Sequence, residues 1–427
     1  MHKKITAGVG VAVAMTVAAS LGSIAPASAD AQPHANDIVG VGSDTVQFVG
    51  DFVADGDNNG NPGYNSVEKT RRIFNFDATA STSGNATYGA GGLALTGANT
   101  GVNAGPAQTS VFRAGTNPLW RVNGSGDGIG ELINDTTAPY YFQYIRASRL
   151  PKAGEITSLQ ASFPATMASP VAGIELYRLA TDGMNIAVNN NALNNGAIAG
   201  LSASDPLTCA PPLSTAEVTA IYNGTYKKWG DIPGYVAPVG SNCATEGIVP
   251  VIPQVGSGTR GDFLSSIGTP VLASNVVVSE EHDPGAIGNF VATTDVNGNP
   301  VGRQDVMSPF STGRYNLIQT GFFDHALAVK SPVTVSYKEQ NLISLVTSGV
   351  TPDSSTAYTY ARNLYVIVRQ SDLASTAPFL PGGSLNWVNT LFGTSTSYFA
   401  KAANAALFTS AGVIQAWKDC GANAITC

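Results

Sequence analysis

Charge is scarce in this chain. Only 12% of its 427 residues are Asp, Glu, Lys or Arg, and acidic residues outnumber basic ones by 29 to 22. No stretch is basic enough to track a nucleic-acid backbone, which sets that class of partner aside. An anion must then be held by a local cluster of donors. Histidine is scarcer still: of four, only His282 and His325 lie beyond the N-terminal region, and no motif marks either as a general base. There is no H-E-x-x-H, no Walker loop and no G-x-S-x-G elbow, since G-S-G-T-R-G has the wrong spacing. Nothing in the sequence assembles a nucleophile, a base and an oxyanion site. No enzyme is expected, and no catalytic residue, metal or cofactor is assigned.

Cysteine is limited to Cys209, Cys243, Cys420 and Cys427. The spacing lacks C-x-x-C and has almost no histidine nearby, which speaks against a zinc site. An even count in an exported chain suggests disulfides. Four cysteines allow three connectivities. The local pairs Cys209–Cys243 and Cys420–Cys427 are favoured over the others.

Export is read from the N-terminus. Lys3 and Lys4 precede an apolar stretch from about Ile5 to Leu21, and Ala27-Ser28-Ala29 is a small-residue cleavage site. This is the pattern of a secretory signal peptide cleaved near Ala29. Removing 29 of the 427 residues leaves 398, with 20 basic against 29 acidic side chains. By length that is two domains, with three as the upper expectation. The composition, 43% hydrophobic with 47 glycines, suits a secreted protein with a sizeable core and long ordered loops.

Strands alternate with helices along the chain, which predicts α/β layers. Asp37 to Gly42 reads as a buried strand, followed by a helix capped by Ser43 or Asp44. Residues 55 to 118 are rich in Gly, Asn, Thr and Ala and read as a long insertion of irregular strands. Inside it, Asp55, Asp57, Asn59 and Gly60 have the spacing of a calcium loop, but Ser66 stands where the bidentate Glu belongs, so a polar turn is the reading. Gly173 to Asn189 reads as two β-rich runs around a turn at Asp182-Gly183. Leu213 to Gly224 is a helix with Ser214 and Glu217 in capping-box positions. Glu280 to Val291 and Asp305 to Tyr315 are turn-and-strand pieces without clear periodicity. Tyr358 to Gln370 is a strong strand. The tail from Ser384 to Lys418 reads as two helical segments, the second with a candidate break near Ser410.

Three Gly-Ser knots stand where a strand hands over to a helix: Gly42-Ser43, Ser125-Gly126 and Ser257-Gly258-Thr259. Helix N-termini leave backbone N–H groups unpaired and carry the positive end of the dipole. Glycine admits a close approach, and hydroxyls add neutral donors. Converging knots of this kind bind an oxyanion with little countercharge.

The order of segments carries a family resemblance. GVGSDTVQF, NGSGDGIGEL, IRASRLP, LSTAEVTAIYNGTYKKWGDIPG, VGSGTRGDF, DPGAIGNF and YARNLYVIV follow one another over most of the chain. Together they resemble the extracytoplasmic phosphate-binding proteins of ABC-type importers. The resemblance implies the two-lobed type II periplasmic-binding-protein fold, with a hinge and an interlobe ligand cleft. Lobe 1 would comprise 30–181 and 358–427, and lobe 2 would comprise 182–357. Carried over by position, the ligand donors are Ser43, Asp44, Thr45, Ser125, Gly126, Ser257, Gly258, Thr259 and Arg260. Arg149 stands where the family has an acidic acceptor, and Pro253 where it has an arginine. A cation at Arg149 would favour a fully ionised oxyanion or a larger anionic group, with Asp127 as a substitute acceptor. The expected ligand is phosphate or a related oxyanion, and an ABC permease is the expected partner of a monomeric, secreted protein. The alternative on the same fold is a non-transport extracellular or surface protein for a different anionic ligand.

Overall fold

The structure is a computed structural model. It describes residues 33–57, 59–68, 70–78, 109–137, 139–189, 209–279, 281–282, 304–319, 343–345, 360–373 and 386–427. The expected signal peptide, the middle of the 55–118 insertion, His325 and the DPGAIGNF segment fall outside these residues.

The first strand, β1 (Ile38–Gly42), is buried along its whole length, as a strand covered on both faces must be. Helix α1 (Gln47–Asp55) follows, turning Phe48, Val49, Phe52 and Val53 inward. Asp57 then closes a polar turn, accepting the N–H groups of Asn59 (3.0 Å) and Asn61 (2.9 Å). Next come α2 (Tyr64–Val67), β2 (Ile73–Asn75) and a small hairpin of β3 (Thr109–Ser110) and β4 (Leu119–Trp120). Then come α3 (Ser125–Asn134), β5 (Tyr144–Ala147), α4 (Ala153–Ser162) and the 16-residue β6 (Ile174–Asn189). The second half holds α5 (Thr215–Tyr222), β7 (Gly247–Pro253), α6 (Gly258–Ser266), β8 (Val277–Ser279), β9 (Gln304–Ser311), α7 (Thr312–Gln319) and β10 (Ile343–Leu345). Strand β11 (Tyr360–Arg369), α8 (Trp387–Leu391), α9 (Ala405–Ser410) and β12 (Ile414–Ala422) complete it.

One curled sheet runs through the molecule in the order β2-β1-β5-β11-β6-β9-β7-β8, with β10 and β12 also paired to β6. β2, β1 and β5 are mutually parallel, as are β9, β7 and β8. Antiparallel β11 and β6 join these two groups. Parallel strands need crossover connections, and among the described residues α1 and α2 lie between β1 and β2, α3 between β2 and β5, and α6 between β7 and β8. The result is the expected α/β class, with two parallel groups of strands joined by two long antiparallel strands, β6 and β11. β6 shows the joining in its pleat. Ile174 and Leu176 enter one core with Ile145 and Ile367. Met184, Ile186 and Val188 enter a second with Trp229 and Phe263. On the opposite face Tyr177, Leu179 and Ala187 enter a third that draws on both parallel groups, with Ile38 from one and Val249 from the other.

Both favoured disulfides form, Cys209–Cys243 and Cys420–Cys427. The capping box at Ser214 and Glu217 is present as read. Three other readings are corrected. Asp182-Gly183 is not a turn, because β6 passes straight through it. β11 pairs with it there, Arg362 opposite Asp182 and Ala361 opposite Gly183. A Cβ on Gly183 would lie 2.6 Å from the Thr312 hydroxyl, so this glycine admits a neighbour and makes no bend. The tail is not helical after Ser410. Gly412, at φ +80°, ends α9, and Ile414–Ala422 adds to β6 as β12. The segment from Asp305 to Tyr315 lies in β9 followed by a helix, α7, which the sequence reading did not contain.

Candidate functional site

The C-terminal ends of β1, β5 and β7 point to one place, and β11 crosses beside it. That is where open α/β sheets hold ligands. The glycines at these ends make the approach possible. Gly42 has φ +122°, and a Cβ there would lie 2.4 Å from the Arg146 carbonyl. Gly124 has φ +115°, and its Cβ would lie 2.6 Å from the Gly256 carbonyl. The second and third knots therefore meet backbone to backbone.

Hydroxyls gather in two groups. Ser43 donates to the Ser148 hydroxyl at 3.2 Å, and the Ser125 hydroxyl lies 3.3 Å from the same oxygen. The Ser148 N–H donates to Ser125 Oγ at 2.9 Å. Gly258 packs over both, since a Cβ there would lie 2.2 Å from Ser148 Oγ and 2.5 Å from Ser125 Oγ. In the second group, Thr45 and Thr259 hydroxyls are 3.4 Å apart and both donate to Glu281 Oε1, at 2.6 and 2.5 Å. The Arg362 guanidinium reaches both threonines, donating to Thr259 Oγ1 and, at 3.4 Å, to Thr45 Oγ1. Its other edge is held by Asp182 Oδ2, at 3.0 Å from Nε and 2.9 Å from the second terminal nitrogen. Burial opposes the Arg362 charge, but Asp182, Glu281 and Asp262 outweigh it and its pKa is raised.

Beneath the threonines lies a buried acidic pair. Glu281 is 1% exposed and Asp44 0%. Burial raises the pKa of each. The neighbouring Asp44 carboxyl adds to the upward push on Glu281. Asp44 faces Arg314 at 3.4 Å, which opposes the push of burial on its carboxyl. His282 completes the group. Its Nε2 accepts the Ser311 N–H at 3.0 Å, which leaves Nδ1–H to donate to Asp44 at 3.1 Å. Burial pushes the imidazole down to about 3, so it stays neutral. Asp44, Glu281 and His282 place one ligand atom each within 4.8 Å of one another. However, the lone pair of Nε2 is taken by Ser311, and Nδ1 carries the proton shared with Asp44. His282 thus activates no hydroxyl and offers no free lone pair.

Of the residues expected from sequence, Ser43, Thr45, Ser125, Gly258 and Thr259 come together. Asp44 lies directly beneath them. Ser257 caps α6, accepting the Arg260 N–H at 3.0 Å. Gly126 does not present a free donor, because its N–H donates to the Gly256 carbonyl at 2.9 Å. Arg260 turns away, donating to the Pro253 carbonyl at 2.8 Å. Arg149 is forked onto Glu155 at 2.8 and 2.7 Å. Asp127 lies against Gly256, and its pKa is raised to about 6, first by burial and then by Glu131. The sequence reading missed Ser148, Asp182, Asp262, Glu281, His282, Arg314 and Arg362. Ser148 lay inside the quoted IRASRLP segment, and Arg362 was the one charged residue in YARNLYVIV before its end.

Beside the hydroxyls opens a cavity of about 300 Å³. Ser148, Arg149, Lys152, Asp262, Tyr360 and Arg362 are among its lining residues. Burial, opposed by Arg362 and Arg149, raises the Asp262 carboxyl to about 6.

Among the described residues no helix is long and apolar enough to cross a membrane. No family model and no curated protein sequence matches the chain. Solved structures similar to it include a protein of Clostridium perfringens assigned as a phosphate ABC transporter substrate-binding protein, with bound phosphate. It is 14% identical, with a TM-score of 0.45, over 89% of this chain and 100% of that one. A phosphate-binding protein of Stenotrophomonas maltophilia is 12% identical, with a TM-score of 0.42, over 88% and 90%. An ABC-type phosphate transport receptor of Vibrio cholerae is 14% identical, with a TM-score of 0.38, over 88% and 99%.

Proposed function

We propose that this chain is a secreted solute-binding protein that captures an oxyanion, phosphate or a relative of it, between two lobes. One observation carries the reading. Hydroxyls that follow the ends of β1 and β7, those of Thr45 and Thr259, meet on one buried guanidinium, Arg362, although 317 and 103 residues separate them from it. Neutral donors around one fixed cation are what a desolvated anion needs. Lobe 1 is 30–181 with 358–427, lobe 2 is 182–357, and β6 and β11 are the hinge. Opening the hinge frees Gly126 N–H from Gly256 and lets a ligand replace the contacts among Thr45, Thr259 and Glu281. Two disulfides support an oxidising compartment outside the cytoplasm, and the protein works there as a monomer. Delivery to an ABC-type permease is the use that a hinged binder of this kind serves best.

Calorimetry of the chain from Asp30 onward, with phosphate, sulfate and molybdate, tests the reading. At least one of the three should bind. Ser125→Ala and Thr259→Val should each weaken it by about tenfold, the worth of one hydrogen bond to a charged group. Absence of binding to all three anions would refute it.

A further inference from the structure

The packed hydroxyls leave little room for a ligand among themselves, whereas the space next to them is large. At about 300 Å³ the adjoining cavity sits at the lower end of the range for small organic ligands, roughly 300–1,000 Å³. A bare tetrahedral oxyanion would fill a small part of it.

The lining is chemically divided. Ser148 and Arg362 are shared with the donor cluster, and Arg149, paired with Glu155, and Lys152 add two further cations. These suit a phosphate group. Tyr360 brings a ring and a hydroxyl, Asn363 an amide, and Asp262 a carboxyl. These suit a body that has both carbon faces and hydroxyl groups to pair. A ligand that is only an anion leaves this second set facing water. A purely apolar body would leave the Asn363 and Asp262 groups unpaired against it.

Resting on the oxyanion reading of the same site, we propose that the ligand is a phosphate monoester of a small polyhydroxylated molecule, of the sugar-phosphate class. The phosphate lies against Ser148, Arg149 and Arg362, and the hydroxylated body fills the cavity toward Tyr360, Asn363 and Asp262. Selectivity for the ester over the free ion then comes from the cavity.

The test is calorimetry with three probes: glucose 6-phosphate, inorganic phosphate and glucose. The wild type should bind glucose 6-phosphate at least about tenfold more tightly than inorganic phosphate, and glucose not measurably. Tyr360→Ala and Asn363→Ala should each cost glucose 6-phosphate on the order of tenfold while leaving inorganic phosphate within twofold. Circular dichroism and an unchanged urea midpoint show that a variant is folded. Equal or tighter binding of inorganic phosphate, with both variants silent, overturns the ester proposal and leaves the oxyanion reading standing. Equal loss of both ligands in both variants also overturns it. Binding of neither phosphate probe, with sulfate and molybdate also failing, overturns both readings.

Discussion

Asp262 gives the sharpest test of the site's electrostatics. It sits on α6 and lines the cavity with Arg149 and Arg362. Burial raises its pKa from 3.8 to about 6, and the two arginines only partly offset that. Between those two values the folded protein binds more protons than the unfolded chain. Stability from this group is therefore full below about pH 4 and is lost as pH rises through about 6. The shift is near two units, which corresponds to a cost of up to about 3 kcal/mol above pH 6. Asp262→Asn removes that cost without changing the shape of the side chain. The variant should match the wild type at pH 4 and gain steadily to pH 6.5, where the difference levels off. Urea titrations at half-unit pH steps read this directly, provided the slope with denaturant stays constant. Sulfate, fully ionised across this range, supplies a second reading. Its affinity should fall more steeply in the wild type than in the variant, because Asp262 ionises only in the former while Asp127 titrates in both. A stability difference independent of pH would refute the argument. So would a variant destabilised at pH 7, because Asp262 would then be an ionised partner of Arg362.

Three further predictions rest on the same cluster and on the two disulfides. Thr259→Val keeps the shape but removes the hydroxyl shared by Thr45, Glu281 and Arg362, and it should cost about 1–3 kcal/mol by urea denaturation at pH 7. Removing Cys209–Cys243, which closes 34 residues, should cost about 4 kcal/mol in the chain-entropy account. Removing Cys420–Cys427, which closes 7, should cost about 2 kcal/mol on the same account. Paired Cys→Ala variants in calorimetric melts give both values, and the reverse order would contradict the loop-length argument.

Much of the architecture could be read from local pattern. Buried strands such as β1 and β11 announce themselves as apolar runs, and the Ser214–Glu217 box marks a helix start by chemistry confined to four residues. The errors came where a distant partner decides. Asp182-Gly183 has turn composition, yet β11 lies alongside and pairs with both residues. Ile414 to Ala422 continues an apparently helical segment, but it finds an open edge of β6 and becomes a strand. Local propensity yields to tertiary pairing in both cases.

The site divides the same way, and the division has a physical cause. Knots at strand ends are local features, so Ser43, Ser125 and Thr259 were found. Charge is not local here. The sequence pointed to Arg260 and Arg149, the arginines nearest the knots. Each meets an acceptor close by in the chain: the carbonyl of Pro253 and the carboxylate of Glu155. The arginine that reaches the hydroxyls is Arg362, on a strand about 100 residues beyond the last knot. Burying it requires Asp182 on the neighbouring strand, because a lone guanidinium there would cost several kcal/mol or more. Asp182 and Arg362 therefore explain each other. The acid that looked like a turn residue is the counterion that lets a cation stand inside the sheet between β6 and β11. A charged residue in the middle of an apolar strand, with an opposite charge in another candidate strand, is the signal that would have found both.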